Sequence, residues 1–132
     1  MRILIAPLAV ALLSGCASSP TPPSEADQVS SSRLYAYQTH TNGDSTIVVT
    51  RDKGLIGGAC NATVSIDGRK SAEIGTGETA RFSVSPGEHI VSMEACGSGL
   101  KERETTTKSG GTKKFRISID SAMSMDLSPT MQ

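Results

Sequence analysis

The chain predicts an all-β fold, a small antiparallel β-sandwich of about seven to nine strands, with an open barrel as the alternative. Three observations carry that expectation. Side chains alternate with a period of two: Val64 and Ile66 share one face against Ser65 and Asp67, Phe82 and Val84 oppose Arg81 and Ser83, and Phe115, Ile117 and Ile119 oppose Lys114, Arg116 and Ser118. The runs are separated by turn chemistry at Asp67-Gly68, Gly75-Thr76-Gly77, Ser85-Pro86-Gly87 and Ser109-Gly110-Gly111. Helical spacing of apolar residues over comparable length is absent after residue 16.

The first element, residues 1–15, is not part of that fold. Arg2 is followed by an apolar run from Ile3 to Leu13, interrupted by Pro7, and then by small residues. This is the layout of a secretory signal. As a helix the run rises roughly 16 Å, too little for a hydrocarbon core about 30 Å thick. A buried core helix would carry polar residues at helical spacing, and none stand between Ile3 and Leu13.

Leu13-Ser14-Gly15-Cys16 resembles the lipobox of bacterial lipoproteins: an aliphatic residue, two small residues and a cysteine. The resemblance implies that Cys16 takes a diacylglyceryl group on its sulfur, that the signal is cleaved before it, and that its new amine is acylated. Two acyl chains already hold a protein stably on a bilayer. Ala17 and Ser18 lack the aspartate that marks inner-membrane retention, so the resemblance implies the outer membrane, lipid-anchored and facing the periplasm.

Residues 16–32 read as the lipidated cysteine and a flexible linker: Ala17 to Ser32 has three prolines and a single aliphatic residue larger than alanine, Val29. Sixteen flexible residues span on the order of 22 Å. The β-sandwich domain is then expected over residues 33–128, with residues 129–132 as a tail. Its strands are expected at Leu34–Gln38, Thr46–Arg51, Ala62–Ile66, Arg69–Ile74, Thr79–Val84, Glu88–Ala95, Glu102–Lys108, Lys113–Asp120 and Met123–Leu127. In the second of these, Ile47-Val48-Val49 is an unbroken apolar stretch suited to burial on both faces.

Composition narrows the function. Removing residues 1–15 takes one of 13 basic residues and none of 13 acidic ones, so the mature side chains sum to minus one. That balance requires no single-sign surface and argues against nucleic acid as a partner. With no Trp, two Tyr and two Phe, stacking platforms for bases or sugars are also scarce.

If Cys16 carries lipid, Cys60 and Cys96 remain as an even pair in an oxidising compartment, where a disulfide is expected. Closing that loop stabilises the fold by roughly 3.8 kcal/mol in the chain-entropy model. Free thiols and a metal pair are the alternatives, the latter opposed by the spacing of His40 and His89, which suits no metal site.

The middle of the domain, Val64-Ser65-Ile66-Asp67-Gly68 with Gly77 and Val84-Ser85-Pro86-Gly87-Glu88-His89, resembles PEGA-like and related small β-domains of bacterial envelope lipoproteins. In those domains a strand ends in an aspartate-glycine turn and a later proline-glycine-glutamate-histidine turn begins another. The resemblance implies fold and location. Thr105-Thr106-Thr107 and the Met123, Met125 pair depart from it.

No catalytic constellation stands out, and no enzyme activity, metal or cofactor is expected. His89 shares a strand face with Val91, Met93 and Ala95, which suits a core-edge histidine bonded to turn backbone. His40 sits near Asp44 and Ser45, but no Gly-x-Ser-x-Gly motif accompanies them. Gly75-x-Gly77 reads as a hairpin turn, and Arg103, Thr105 and Thr107 as the solvated face of a strand. Leu55 and Ile56, between glycines before Cys60, either cover one end of the core or meet a partner. The expected function is a membrane-anchored, non-catalytic accessory or binding module. Its partners are the bilayer, through acylated Cys16, and an envelope protein or peptidoglycan. The alternative is an inhibitor or immunity-like lipoprotein that blocks an envelope-attacking enzyme through Leu55 and Ile56.

Overall fold

A computed structural model describes residues 19–54, 60–95, 97–122 and 124–132. Among these residues nine strands form two sheets: β1 (Asp27–Gln28), β2 (Ser45–Arg51), β3 (Ala62–Ile66), β4 (Arg69–Ile74), β5 (Glu78–Val84), β6 (Gly87–Glu94), β7 (Leu100–Thr107), β8 (Thr112–Ile119) and β9 (Met125–Pro129). One sheet has the order β1-β5-β2-β8-β9 and the other β4-β3-β6-β7. Neither closes on itself, so the architecture is a small sandwich rather than a barrel.

The alternating residues meet between the sheets. Val64, Ile66, Ile74, Val91 and Met93 from one sheet, and Ile47, Val49, Phe82, Val84, Phe115, Ile117 and Leu127 from the other, form a single buried cluster. Burying a side chain of this size contributes about 1.5–3 kcal/mol, so these residues supply most of the drive to fold. β2 is flanked on both sides, by β5 and β8, and its Ile47, Val48 and Val49 are all buried, as the unbroken apolar stretch requires. Asp67 and Gly68, both with positive φ, close the β3–β4 hairpin as a type I′ turn demands.

Five expectations are corrected. The sandwich is not wholly antiparallel: β1 runs parallel to β5 and β2 parallel to β8. The Gly75–Gly77 turn does not close a hairpin, because β4 lies in one sheet and β5 in the other; the chain arches over one end of the core. Leu34–Gln38 is not a strand. Leu34 bridges Ala72 and Tyr35 donates to the Ser71 carbonyl, but the positive φ of Tyr37 then turns the chain, whose Tyr37 carbonyl accepts from the Ser83 amide at 2.7 Å.

The expected linker is largely built into the fold, and the domain starts well before Arg33. β1 adds to the free edge of β5, Val29 fills the core, and Thr21 is buried against Asp52 and Lys53. Low apolar content did not prevent this, because edge pairing satisfies backbone groups without requiring apolar side chains. At the other end the tail expected over 129–132 is shorter, since β9 includes Pro129 and Thr130 donates to the Lys114 carbonyl.

Candidate functional site

Of the residues singled out from the sequence, Cys16, Leu55, Ile56, Cys96 and Met123 lie outside the described residues. Cys60 is partly buried and packs against the core, and its carbonyl accepts a hydrogen bond of 2.6 Å from Arg51. β3 and β6 are antiparallel neighbours with Thr63 opposite Glu94, so the chain enters β3 and leaves β6 at the same end of the sheet. Cys60 stands two residues before β3, and Cys96 two residues after β6.

The most organised polar cluster is centred on His89. The histidine sits on β6 and is only 7% exposed. Nδ1 lies 2.7 Å from Asp67 Oδ2 and Nε2 lies 2.6 Å from the Ser85 carbonyl. Neither partner has a proton to give when Asp67 is ionised, so the ring donates from both nitrogens and is an imidazolium. Asp67 Oδ1 accepts from the Ile90 amide at 2.9 Å. Thr107 Oγ1 adds a second bond to the Ser85 carbonyl, at 3.2 Å. The aspartate-glycine turn and the proline-glycine-glutamate-histidine turn are therefore one physical unit.

The electrostatics agree with that geometry. Burial opposes the charge on His89, but hydrogen bonds to Asp67 and Ser85 outweigh it and raise its pKa above the ordinary histidine value. Burial likewise disfavours the Asp67 carboxylate, yet bonds from His89 and the Ile90 amide carry its pKa below the ordinary aspartate value. Beside the pair lies a shallow cleft of about 270 Å³ lined by Asp67, Glu88, His89, Ile90 and Glu104 among others. A histidine with both nitrogens occupied by acceptors has no lone pair for a substrate proton. The cluster is suited to fastening turns.

His40 lies in a short 3-10 turn, His40–Asn42, and its ring makes no hydrogen bond among the described residues. Among the described residues no three His, Cys, Asp or Glu side chains converge to hold a metal ion. The expected solvated face of β7 is corrected at Thr107, while Arg103 and Thr105 stay partly exposed. Register places Arg103, Thr105 and Thr107 opposite Val91, His89 and Gly87, toward the sandwich; Thr107 is buried and Arg103 pairs with Asp126 of β9 at 2.9 Å.

Sequence reasoning missed the polar side chains at the opposite end. Arg51 is buried and donates to the carbonyls of Cys60 and Ile74 at 2.6 and 3.1 Å. Arg33 forks onto Glu78 with bonds of 2.6 and 2.7 Å, and Glu78 also accepts from the Gly75 amide at 2.7 Å. Asp52, buried, is ion-paired with Arg116. The one available signal was positional: Arg51 closes an apolar strand whose other residues are all buried or half-buried.

The outer faces of the sheets differ in charge. On β5 and β8, Arg81 and Lys114 are exposed on either side of Val48, with which both are in register. On β6 and β7 the exposed residues are Glu88, Ile90, Glu94, Leu100, Glu102, Glu104 and Thr106. The first sheet thus presents Arg81 and Lys114 without an ion pair among the described residues, while the exposed charged residues of β6 and β7 are all carboxylates. In comparisons with known proteins, no family model matches the chain and no curated protein is found as a relative.

Proposed function

We propose that this is a lipid-anchored envelope protein of the bacterial outer membrane, whose β-sandwich acts as a non-catalytic accessory or binding module toward an envelope protein or peptidoglycan. The observation that carries the reading is Leu13-Ser14-Gly15-Cys16, placed between an apolar run too short to span a bilayer and a polar segment. The folded part supports it in two ways. Its pinned histidine is occupied as a structural cation, and its described residues from both sheets share one buried apolar cluster. The likeness of its two turns to PEGA-like domains belongs to the same reading.

In that compartment Cys60 and Cys96 form a disulfide, favoured by the shared end at which β3 begins and β6 finishes. Intact mass of the protein extracted from membranes under non-reducing conditions tests the anchor and the bond together. The expected mass lacks residues 1–15, gains acyl chains, and rises by two hydrogens on reduction. An unprocessed amino terminus on a protein without acyl chains overturns the reading. For the binding role, crosslinking in intact envelopes is expected to capture a reproducible protein or peptidoglycan adduct; recovery of the chain alone counts against it.

A further inference from the structure

We propose that the outer face of the β1-β5-β2-β8-β9 sheet is a membrane-facing surface whose cations meet anionic phospholipid headgroups, holding the tethered domain against the bilayer in one orientation. This rests on the acylation of Cys16 proposed above. The first argument is reach. Thr21 is fixed to the fold, its amide donating to Asp52 Oδ1 at 3.4 Å and its hydroxyl accepting from the Lys53 amide at 3.1 Å. Only Ala17 to Pro20 separate it from Cys16, and five Cα-to-Cα steps extend to at most about 18 Å. The strap that continues from Thr21, Pro22-Pro23-Ser24, forms one wall of a groove of about 530 Å³ on this outer face, with Arg81, Lys114 and Met131 also lining it. The short tether therefore reaches the fold on the side that this face presents.

The second argument is charge. Arg81 and Lys114 are exposed and make no ion pair among the described residues. Of the carboxylates near them, Asp52 and Asp126 are engaged by Arg116 and Arg103, while Glu25 and Asp27 are exposed on the strap at the rim. Met131, 96% exposed in the same groove, supplies an apolar side chain of the kind that enters a headgroup layer beside basic residues. The opposite face carries Glu88, Glu94, Glu102 and Glu104, and its Lys70 is already tied to Glu73. An anionic bilayer attracts the first face and repels the second.

The test uses the lipoprotein purified from membranes, its acylation verified by intact mass, and reconstituted in phosphatidylcholine vesicles with or without phosphatidylglycerol. Amine labelling followed by peptide mass spectrometry reads each lysine. With phosphatidylglycerol, labelling of Lys114 is expected to slow roughly fivefold or more, the effect of one cation held at an anionic surface. High salt should restore it, and Lys70 should label equally in both vesicles. Arg81→Glu, a change at an exposed position, should remove the protection of Lys114. Equal labelling of Lys114 in the two vesicles, protection of Lys70 instead, or protection that Arg81→Glu leaves intact overturns the orientation while the anchor stands. Protein without acyl chains overturns both.

Discussion

Where β2 finishes and β3 begins, the side chains that fasten the sandwich are arginines: Arg51 on two carbonyls, Arg33 on Glu78 and Arg116 on Asp52. At the opposite end, where β5 turns into β6, the corresponding fastener is His89, held between Asp67 and Ser85. Arg51 and His89 solve the same problem, which is to satisfy carbonyls at the sheet ends that the sheets do not pair. They differ in how the solution responds to pH. A guanidinium remains charged across the range in which a histidine titrates, even though burial lowers the pKa of Arg51. The imidazolium does not. Fastening is therefore permanent at one end and conditional at the other.

The largest effect expected at the arginine end comes from the proposed Cys60–Cys96 bond. Reduction, or replacement of both cysteines by serine, should lower stability by up to roughly 3.8 kcal/mol, read as a drop in the urea midpoint. An unchanged midpoint would remove the bond from that end. Arg51→Met comes next, at about 3 kcal/mol, since one buried and one partly buried carbonyl lose their donor and methionine fills the space without replacing it. A loss below about 1 kcal/mol would mean that water replaces the guanidinium.

His89→Phe should cost about 2 kcal/mol near pH 6, because the Ser85 carbonyl and Asp67 lose a buried donor. Its pH dependence separates the two ends. The raised pKa of His89 makes its contribution full below the ordinary histidine value, about 6.5, and lost as pH rises through the raised value. The lowered pKa of Asp67 makes its contribution full above about 3.9 and lost as pH falls through the lowered value. The stability difference between the native chain and His89→Phe should thus be flat between about pH 4 and 6.5 and shrink on either side. Urea titrations across pH check this; a difference independent of pH would show that the histidine is not an ion there.

Period-two alternation located most of the strands because burial on one face leaves a direct trace in side-chain order. Val64 and Ile66, Phe82 and Val84, and Phe115 and Ile117 all point into the core as their spacing requires. Partnering left no such trace. Nothing in Asp27-Gln28 signals that it pairs with β5, and nothing in Gly75-Thr76-Gly77 distinguishes an arch between sheets from a hairpin, because both need the same positive φ. His89 was legible as a core-edge histidine from its place beside Val91 and Met93. Its tie to Asp67 became visible only once β3 and β6 were set side by side, with Ile66 opposite Val91. Arg51 was hidden for a related reason: a buried cation is identified by the carbonyls it serves, and those come from two distant turns.

The smallest effect is expected at Arg33, and it sharpens the comparison most. Arg33 and Glu78 are partly exposed, so solvent screens their attraction and Arg33→Met should cost less than about 1 kcal/mol. Arg33→Lys keeps the charge but loses the two-pronged geometry. If the fork matters, lysine should behave like methionine; if charge alone matters, lysine should behave like arginine. The hydrogen bond from Arg33 leads the causes that lower the pKa of Glu78, so this pair contributes fully above the ordinary glutamate value and is lost only as pH falls through the lowered one. Mild alkali should then loosen the histidine end and leave the Arg33–Glu78 pair untouched. Amide exchange above the raised pKa of His89, corrected for its intrinsic rise with pH, reads the two ends in one sample: the Ile90 amide, which donates to Asp67, should lose protection while the Gly75 amide, which donates to Glu78, keeps it. Equal loss at both amides would mean that the ends open together, as one cooperative unit.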